Sequence, residues 1–319
     1  MSQSIKLTPI RRVNLGLDAA TQRFLARSKA QNTVRAYKSD LADFALWCRQ
    51  RKVTGPPVSA KAVANYLSCL ASAGAKASTI KRRFAAIKFL HNAYKYQSPT
   101  DTDLVKATWT GIKRTIGTAV TKKKAAVTEI IRRMLDVLPD NLIGLRDKAL
   151  LLIGYAGAFR RSELVGLNVE DLDFQKEGLI ITLRRSKTDQ TGKGRKKPIS
   201  YGSNVKTCPV RTLQEWLTKS EIGKGAVFRS IKKGNKLQKT RLSDQAVGLI
   251  IKRAARKAEL NPADFAGHSL RSGFATQSAT NRAHMKKIMD QGWDSPTTVM
   301  GYIQEVELFD ENASAMLGL

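Results

Sequence analysis

Residues 178–200 read GLIITLRRSKTDQTGKGRKKPIS. This stretch, which lies in the second half of the chain, gives that half a different fold class from the first. A run rich in strand-forming residues (178–183) is followed by a polar, glycine-containing segment (187–194) and a second extended segment (197–200). Two extended segments around such a turn predict a β-hairpin or a small antiparallel sheet. Helical periodicity surrounds it at 128–137, 145–156, 161–166, 209–218, 243–258, 269–279, 284–291 and 295–303. The second half is therefore predicted to be a mainly helical α+β domain.

The first half shows helical patterns throughout. In residues 32–48, apolar side chains such as Val34, Tyr37 and Leu41 recur at steps of three and four, the period of one helix face. Similar patterns predict helices at 59–72, from 78 or 79 onward, and at 103–116. The sequence thus predicts a mainly α chain of two domains: an all-α domain (1–117), a basic linker (118–126) and the mixed domain (127–319).

The charge of the 319-residue chain is far from balanced. Its 56 Lys and Arg face 26 Asp and Glu, which gives a formal net charge of +30. The excess is steepest in residues 1–125, with 24 basic and five acidic side chains, whereas residues 303–319 carry four acids and no base. A folded chain this basic is expected to bind a polyanion, of which nucleic acid is the commonest.

The remaining composition argues against several other classes of protein. No window approaches the roughly 20 apolar residues of a transmembrane helix, and the N-terminus lacks a signal-peptide core. The three cysteines (Cys48, Cys69 and Cys208) are far apart and odd in number, which favours reduced thiols over a disulfide framework or a zinc site. We expect a cytoplasmic protein without a membrane partner, a metal or another cofactor.

Two basic clusters are candidates for binding phosphates. The third predicted helix shows Lys81, Arg82, Arg83 and Lys88 away from its apolar face, and the linker contains Lys122, Lys123 and Lys124. The helix cluster is either a solvated face or a phosphate-facing surface, and the lack of interspersed acids favours the second. The linker is either a plain tether or a segment that lies along a phosphate backbone.

Six polar or aromatic residues stand where helix or strand patterning does not require them. Each alone has an ordinary explanation: an arginine pairs with a nearby glutamate, a histidine satisfies a local hydrogen bond, and an aromatic ring fills a core. Their order and their gaps of 27, 81, 3, 22 and 9 residues are the informative feature. The six are Arg160, Lys187, His268, Arg271, Trp293 and Tyr302.

The segments around these residues resemble the boxes of the tyrosine recombinase (phage integrase) family. Residues 158–164 (AFRRSEL) resemble its G-x-R-x-S-E-L box, 267–276 (GHSLRSGFAT) its H-x-x-R box, and 292–302 (GWDSPTTVMGY) its terminal box. Residues 17–116 resemble the helical, SAM-like core-binding domain of the family. The resemblance therefore covers nearly the whole chain.

The chain departs from the family pattern at three places. Ala158 replaces the usual glycine, and Arg160 is followed by Arg161, which leaves Arg161 as a fallback for the first arginine. Trp293 stands where most members of the family have histidine. In this respect the chain resembles Cre recombinase and its closer relatives, which have tryptophan there. An indole N–H can donate a hydrogen bond to a phosphate but cannot transfer a proton in acid–base catalysis.

The resemblance implies a role for each residue. Tyr302 would attack a DNA phosphodiester, Arg160 and Arg271 would bind its non-bridging oxygens, and His268 would help to remove the tyrosine proton. Lys187 would protonate the leaving 5′-oxygen, and Trp293 would stabilise charge and pack the site. Glu163 and Asp294 would orient the cationic groups.

The resemblance also implies a function. We expect a site-specific recombinase or integrase that acts on double-stranded DNA through a 3′-phosphotyrosyl intermediate and a Holliday junction, without ATP or metal. It would work as a homotetramer on two DNA sites and associate with the nucleoid. The tail (303–319) would dock on a neighbouring subunit or pack on its own domain. The alternatives are a non-catalytic DNA-binding protein of the same fold and a type IB-like topoisomerase.

Overall fold

The computed structural model describes residues 31–119, 122–184, 194–306 and 314. The chain separates into two compact units, residues 1–121 and 122–319, which we call the N-terminal and C-terminal units. None of the described helices combines the length and the apolar character needed to span a bilayer.

The described part of the N-terminal unit is helical. Its helices are α1 (Gln31–Gln50), α2 (Ala60–Ser72), α3 (Ala77–Ala93) and α4 (Asp103–Ile116). Ser59 caps α2 by accepting a hydrogen bond from the Ala62 amide, which satisfies one of the free donors of the first turn. The apolar faces enclose a core that includes Phe44, Trp47, Tyr66, Leu67, Ile80, Ile87 and Val105. The predicted all-α, SAM-like domain is confirmed.

The C-terminal unit is built around a buried helix. Its helices are α5 (Thr128–Asp136), α6 (Leu142–Ala156), α7 (Arg161–Gly166), α8 (Pro209–Lys219), α9 (Asp244–Lys257), α10 (Ser269–Thr280), α11 (Met285–Asp290) and α12 (Pro296–Val306). Residues 149–154 of α6 are all buried, because the sequence there is apolar on every side of the helix. They share one core with Trp216 of α8 and Ile251 of α9.

Strands β1 (Leu172–Phe174), β2 (Gly178–Leu183) and β3 (Arg195–Ser200) form an antiparallel sheet in that order. The predicted hairpin is its β2–β3 pair, in which Ile181 lies opposite Lys197, and the predicted α+β class is confirmed. A second antiparallel pair, β4 (Arg229–Lys232) and β5 (Lys236–Arg241), was not predicted. Half of the residues in its strands are charged, and the strands lack the apolar alternation by which strands are recognised.

A second, smaller apolar cluster lies apart from the main core. It joins Ala158, Ala275, Ile288, Trp293 and Val299, with Phe274 and Tyr302 packed against it. The cluster thus connects the loop before α7, helix α10, and the segment from α11 to α12. These elements carry or adjoin Arg160, His268, Arg271, Trp293 and Tyr302, which are five of the six predicted residues.

Candidate active site

Four segments of the C-terminal unit bring the predicted residues together. His268 immediately precedes α10, and Arg271 lies in its first turn. Arg160 immediately precedes α7, Trp293 lies in the loop between α11 and α12, and Tyr302 lies within α12. Residues more than 140 positions apart in the chain therefore line one site.

Arg271 lies at the bottom of the site and is 2% exposed. Its Nη1 donates to the Ala158 carbonyl at 2.7 Å and its Nη2 to the Gly292 carbonyl at 2.6 Å. Burial, together with the nearby charge of Arg160, lowers the pKa of Arg271 to about 10, so the side chain stays protonated at neutral pH. It supplies a fixed positive charge at this point.

Arg160 is held by Glu163, three residues further along. The Glu163 carboxylate accepts from the Arg160 amide at 2.9 Å and from its Nη1 at 2.5 Å. Burial alone would raise the pKa of Glu163, but the hydrogen bonds from Arg160 and the charge of Lys197 outweigh it and lower that pKa. The neighbouring Arg161 instead pairs with Asp244 of α9 at 3.5 Å. The geometry supports Arg160, and not Arg161, as the site arginine.

His268 and Tyr302 face each other, with 3.5 Å between the histidine Nε2 and the tyrosine Oη. Burial and the charges of Arg271 and Arg160 lower the pKa of His268. Burial raises the pKa of Tyr302, an effect that Arg271 and Lys122 oppose. The resting pair is therefore a neutral imidazole beside a protonated phenol, an arrangement in which an unprotonated Nε2 can accept the phenol proton.

Trp293 packs between the other site residues and is 6% exposed. The Arg271 guanidinium carbon lies 4.0 Å from the centre of the indole ring, and Tyr302 meets that ring edge-on at 6.2 Å. Phe274 lies nearly parallel to it on α10 at 6.2 Å. The indole therefore restrains both the buried arginine and the tyrosine ring.

The backbone of the loop before Arg160 accounts for the glycine of the family pattern at the position of Ala158. Ala158 adopts a φ of +49°, a left-handed conformation that glycine adopts more readily than alanine. At Gly157, a Cβ atom would lie 2.1 Å from the Phe159 ring, so this position has room for glycine only. The glycine that the family pattern expects at 158 thus fits the conformation that Ala158 adopts.

One polar residue of the site was missed from the sequence. Lys197 of β3 is 1% exposed, and its Nζ donates to the carbonyls of Gly157 and Gln291, each at 2.6 Å. Strand periodicity could have found it, because Lys197 and the buried Ile199 are two residues apart and share a face of β3. Lys196 and Pro198 alternate with them and are exposed.

Two further predicted residues, Lys187 and Asp294, are not among the side chains described above. Lys187 lies outside the described residues, in the segment between β2 and β3. Asp294 forms an ion pair with Arg195 of β3, which links β3 to the loop that carries Trp293. The role predicted for each stays a prediction.

The predicted DNA-binding residues of α3 differ in their surroundings. Arg82 pairs with Asp40 at 2.7 Å, Arg83 pairs with Asp43, and Lys88 pairs with Asp101 at 2.6 Å. Lys81 is exposed, and no acidic partner for it is found within the described part of the chain.

The linker lysines lie at the start of the C-terminal unit and contact other residues of that unit. Lys122 pairs with Glu305 of α12 at 3.2 Å, and Lys124 pairs with Asp264 at 2.8 Å. Lys123 donates to the Ala263 carbonyl at 2.6 Å. That these residues and the α3 cations bind DNA stays a prediction.

Comparison with known proteins identifies the family. The model of the phage integrase family matches residues 127–307, and that of the phage integrase N-terminal SAM-like domain matches residues 22–97. This chain belongs to the phage integrase family. It is 40% identical over 305 residues to the "Integrase/recombinase xerD homolog" of Selenomonas ruminantium, which covers 94% of this chain and 89% of that protein. It is 29% identical over 305 residues to "Tyrosine recombinase XerD" of Bifidobacterium longum (strain NCC 2705), covering 90% and 92%.

Solved structures agree with the fold. The Tn1549 transposon integrase in complex with transposon right end DNA superposes with a TM-score of 0.64 at 16% identity, covering 93% of this chain and 98% of that one. XerH recombinase bound to difH substrate gives 0.63 at 17% identity, covering 93% and 83%. The predicted family, and with it the class of DNA-recombining enzyme, is confirmed. These findings support neither the non-catalytic alternative nor the topoisomerase.

Proposed function

We propose that this phage integrase family member is a site-specific recombinase that cleaves duplex DNA with Tyr302 and rejoins the strands through a Holliday junction. The observation that carries the proposal is the 3.5 Å approach of the Tyr302 hydroxyl to a neutral His268 beside the buried, protonated Arg271. A nucleophile, a proton acceptor and a fixed cation lie together there. These are the groups that attack on a phosphodiester requires.

The cleavage step follows from this placement. Tyr302 Oη forms a bond to phosphorus while the bond from phosphorus to the 5′-oxygen breaks, and the phenol proton passes to His268. Arg160 and Arg271 donate to the non-bridging oxygens, where negative charge grows in the transition state. Lys187 gives a proton to the leaving 5′-oxygen. The 3′-phosphotyrosyl ester retains the bond energy, so attack by another 5′-hydroxyl reseals the strand without ATP.

DNA binding and assembly complete the proposal. The N-terminal unit and the C-terminal unit, which includes the linker lysines (122–124), both bind the duplex, with an affinity that falls as salt rises. Four copies act on two DNA sites in the cytoplasm, in association with the nucleoid. The acidic tail (303–319) contacts protein instead of DNA. The chemistry assigned to these side chains involves no metal or other cofactor.

A nicked suicide substrate tests the cleavage proposal. Loss of the short 5′-hydroxyl strand traps a covalent protein–DNA adduct, which we expect for the wild-type protein and not for Tyr302→Phe, while both bind DNA with similar affinity. EDTA should leave adduct formation unchanged. An adduct with Tyr302→Phe would refute the nucleophile, and relaxation of supercoiled DNA without a specific site would favour the topoisomerase.

A bridging-sulfur substrate tests the role of Lys187 separately. A 5′-thiolate leaves without protonation because a thiol has a pKa near 8.5, far below that of an alcohol. Lys187→Met should slow cleavage of normal DNA by about 10²–10⁴-fold and cleave the 5′-phosphorothiolate at the wild-type rate. Equal defects on both substrates would remove Lys187 from the acid role.

A further inference from the structure

A buried lysine packs against the backbone of the loops that carry the proposed site. Lys197 Nζ donates to the Gly157 and Gln291 carbonyls, each at 2.6 Å, and lies 3.5 Å from the Ala158 carbonyl. The Phe159 ring covers it, with 4.4 Å between Nζ and the ring centre. Its donors are thus directed at backbone oxygens, and its exposed fraction is 1%.

The carbonyls that Lys197 binds belong to the two loops that carry site residues. Gly157 and Ala158 precede Arg160, and Gln291 lies two residues before Trp293. Arg271 binds the same two loops, through the carbonyls of Ala158 and Gly292. Lys197 and Arg271 therefore each connect the loop before Arg160 to the loop that carries Trp293, through hydrogen bonds to backbone carbonyls.

The cationic groups of Arg271 and Lys197 both lie close to Gly292. A Cβ atom at this position would lie 2.9 Å from Arg271 Nη1 and 3.1 Å from Lys197 Nζ. Its φ of +134° is also a conformation that favours glycine. The loop thus passes directly over both cationic groups, and a side chain at residue 292 would displace them.

Strand β3 is fastened to the Trp293 loop at three successive points. Arg195 pairs with Asp294, Lys197 binds the Gln291 carbonyl, and the Gln291 amide donates to the Pro198 carbonyl at 2.9 Å. Loss of the Lys197 contact would leave the other two in place. A defect in a Lys197 variant should therefore be one of geometry and not of general unfolding.

From these contacts we propose that Lys197 is a positioning residue for DNA cleavage. Its amino group holds loops 157–159 and 291–293 at the spacing that lets Arg160, Arg271 and Trp293 meet one phosphate. The inference rests on the proposed function, since it assigns Lys197 a task in that cleavage step. Lys197 does not transfer the proton to the leaving group, because its donors are already engaged with backbone carbonyls.

The experiment measures single-turnover adduct formation on the suicide substrate at saturating DNA. Lys197→Met should cleave about 10²-fold more slowly, the typical effect of a displacement near 1 Å in an active site, with unchanged DNA affinity. The matched control is Lys196→Met, the same change on the exposed neighbour, which should cleave at the wild-type rate. A Lys197→Met rate within threefold of wild type, or an equal loss in Lys196→Met, would overturn the proposal.

The bridging-sulfur substrate separates positioning from proton donation. The Lys197→Met defect should persist on the 5′-phosphorothiolate, and full rescue would make Lys197 the general acid and overturn the positioning role. If Lys197→Met does not fold, Lys197→Gln decides, because the glutamine side chain keeps an N–H donor but is one bond shorter and cannot hold both carbonyls at 2.6 Å. It should also lose about 10²-fold in rate, and a wild-type rate would overturn the proposal. A wild-type protein that forms no adduct at all would instead refute the proposed function.

Discussion

The cations of α3 and the two buried cations of the candidate site, Arg271 and Lys197, are satisfied by different chemical groups. On α3, Arg82 donates to both carboxylate oxygens of Asp40, at 2.7 and 2.9 Å, and Lys88 pairs with Asp101. In the active site, Arg271 and Lys197 donate to backbone carbonyls. Both arrangements satisfy the donors, but only a carboxylate cancels the charge.

The difference separates cations whose charge is cancelled by a carboxylate from cations that keep their charge inside the candidate site. A carbonyl dipole satisfies an N–H group and leaves the positive charge in place, so the site keeps a surplus of positive potential. Burial lowers the pKa of His268, and the charges of Arg271 and Arg160 lower it further, which reflects that surplus. Glu163 opposes it at Arg160 and orients that side chain. An α3 cation paired with a carboxylate has less charge to offer DNA.

The largest expected effect comes from changing one arginine in each unit to lysine. Arg271→Lys keeps the charge but loses the forked geometry that serves the carbonyls and the phosphate together, so cleavage should slow by about 10²–10³-fold. Arg82→Lys, the matched change on α3, should alter the single-turnover rate by less than about threefold. Equal losses from the two changes would erase the distinction between the units.

Much of this arrangement could be predicted from the sequence, because motif spacing identifies the residues that chemistry requires. Arg160, His268, Arg271 and Tyr302 stood out by order and gaps, and the structure brings them together. Lys197 did not stand out by residue type, because a lysine in a basic hairpin is usually exposed, and only its alternation with Ile199 on one strand face indicated burial. Nor did the pairing of Arg82 and Asp40, 42 residues apart, since a helical stripe does not show which acids on a neighbouring helix face it.

The second prediction uses the pH dependence of stability. Burial, with further contributions from Arg271, Arg160 and Arg195 and with Glu163 opposing them, lowers the pKa of Lys197 to about 7. Between that value and the ordinary lysine pKa near 10.4, the folded group is neutral and the unfolded group is protonated. Unfolding then takes up a proton, so the free energy of unfolding should rise with pH, by up to about 1.4 kcal/mol per unit.

Urea unfolding of the wild type and Lys197→Met from pH 7 to 10 measures this contribution as a difference. The wild type should gain stability relative to the Met variant as pH rises, and Lys196→Met should follow the wild type. Parallel curves for the wild type and Lys197→Met would mean that the buried amine keeps its proton. It would then be a third permanent charge in the site, beside Arg160 and Arg271.

The third prediction concerns the fold of the N-terminal unit. Arg82→Met leaves the buried Asp40 carboxylate with a weaker partner, Arg83 at 3.7 Å, and should cost about 1–3 kcal/mol. Hydrogen exchange followed on peptides from α1 and α3 measures the loss locally. Lys88→Met is the control, because its pair with Asp101 is exposed and should contribute less than about 1 kcal/mol. Unchanged protection in Arg82→Met would show that its charge is not committed to the fold.

The smallest expected effect concerns the salt dependence of DNA affinity. It compares a cation of α3 that pairs with a carboxylate with one that has no such partner in the described part of the chain. Lys81 is exposed without an acidic partner in the described part of the chain, so its contact with a phosphate would release a counterion. Lys81→Gln should then reduce the slope of log affinity against log salt by about 1. Arg82→Gln should leave the slope unchanged, because the charge of Arg82 is already matched by Asp40. If both variants reduced the slope equally, DNA would draw Arg82 away from its carboxylate, and pairing in the free protein would not predict which cations bind.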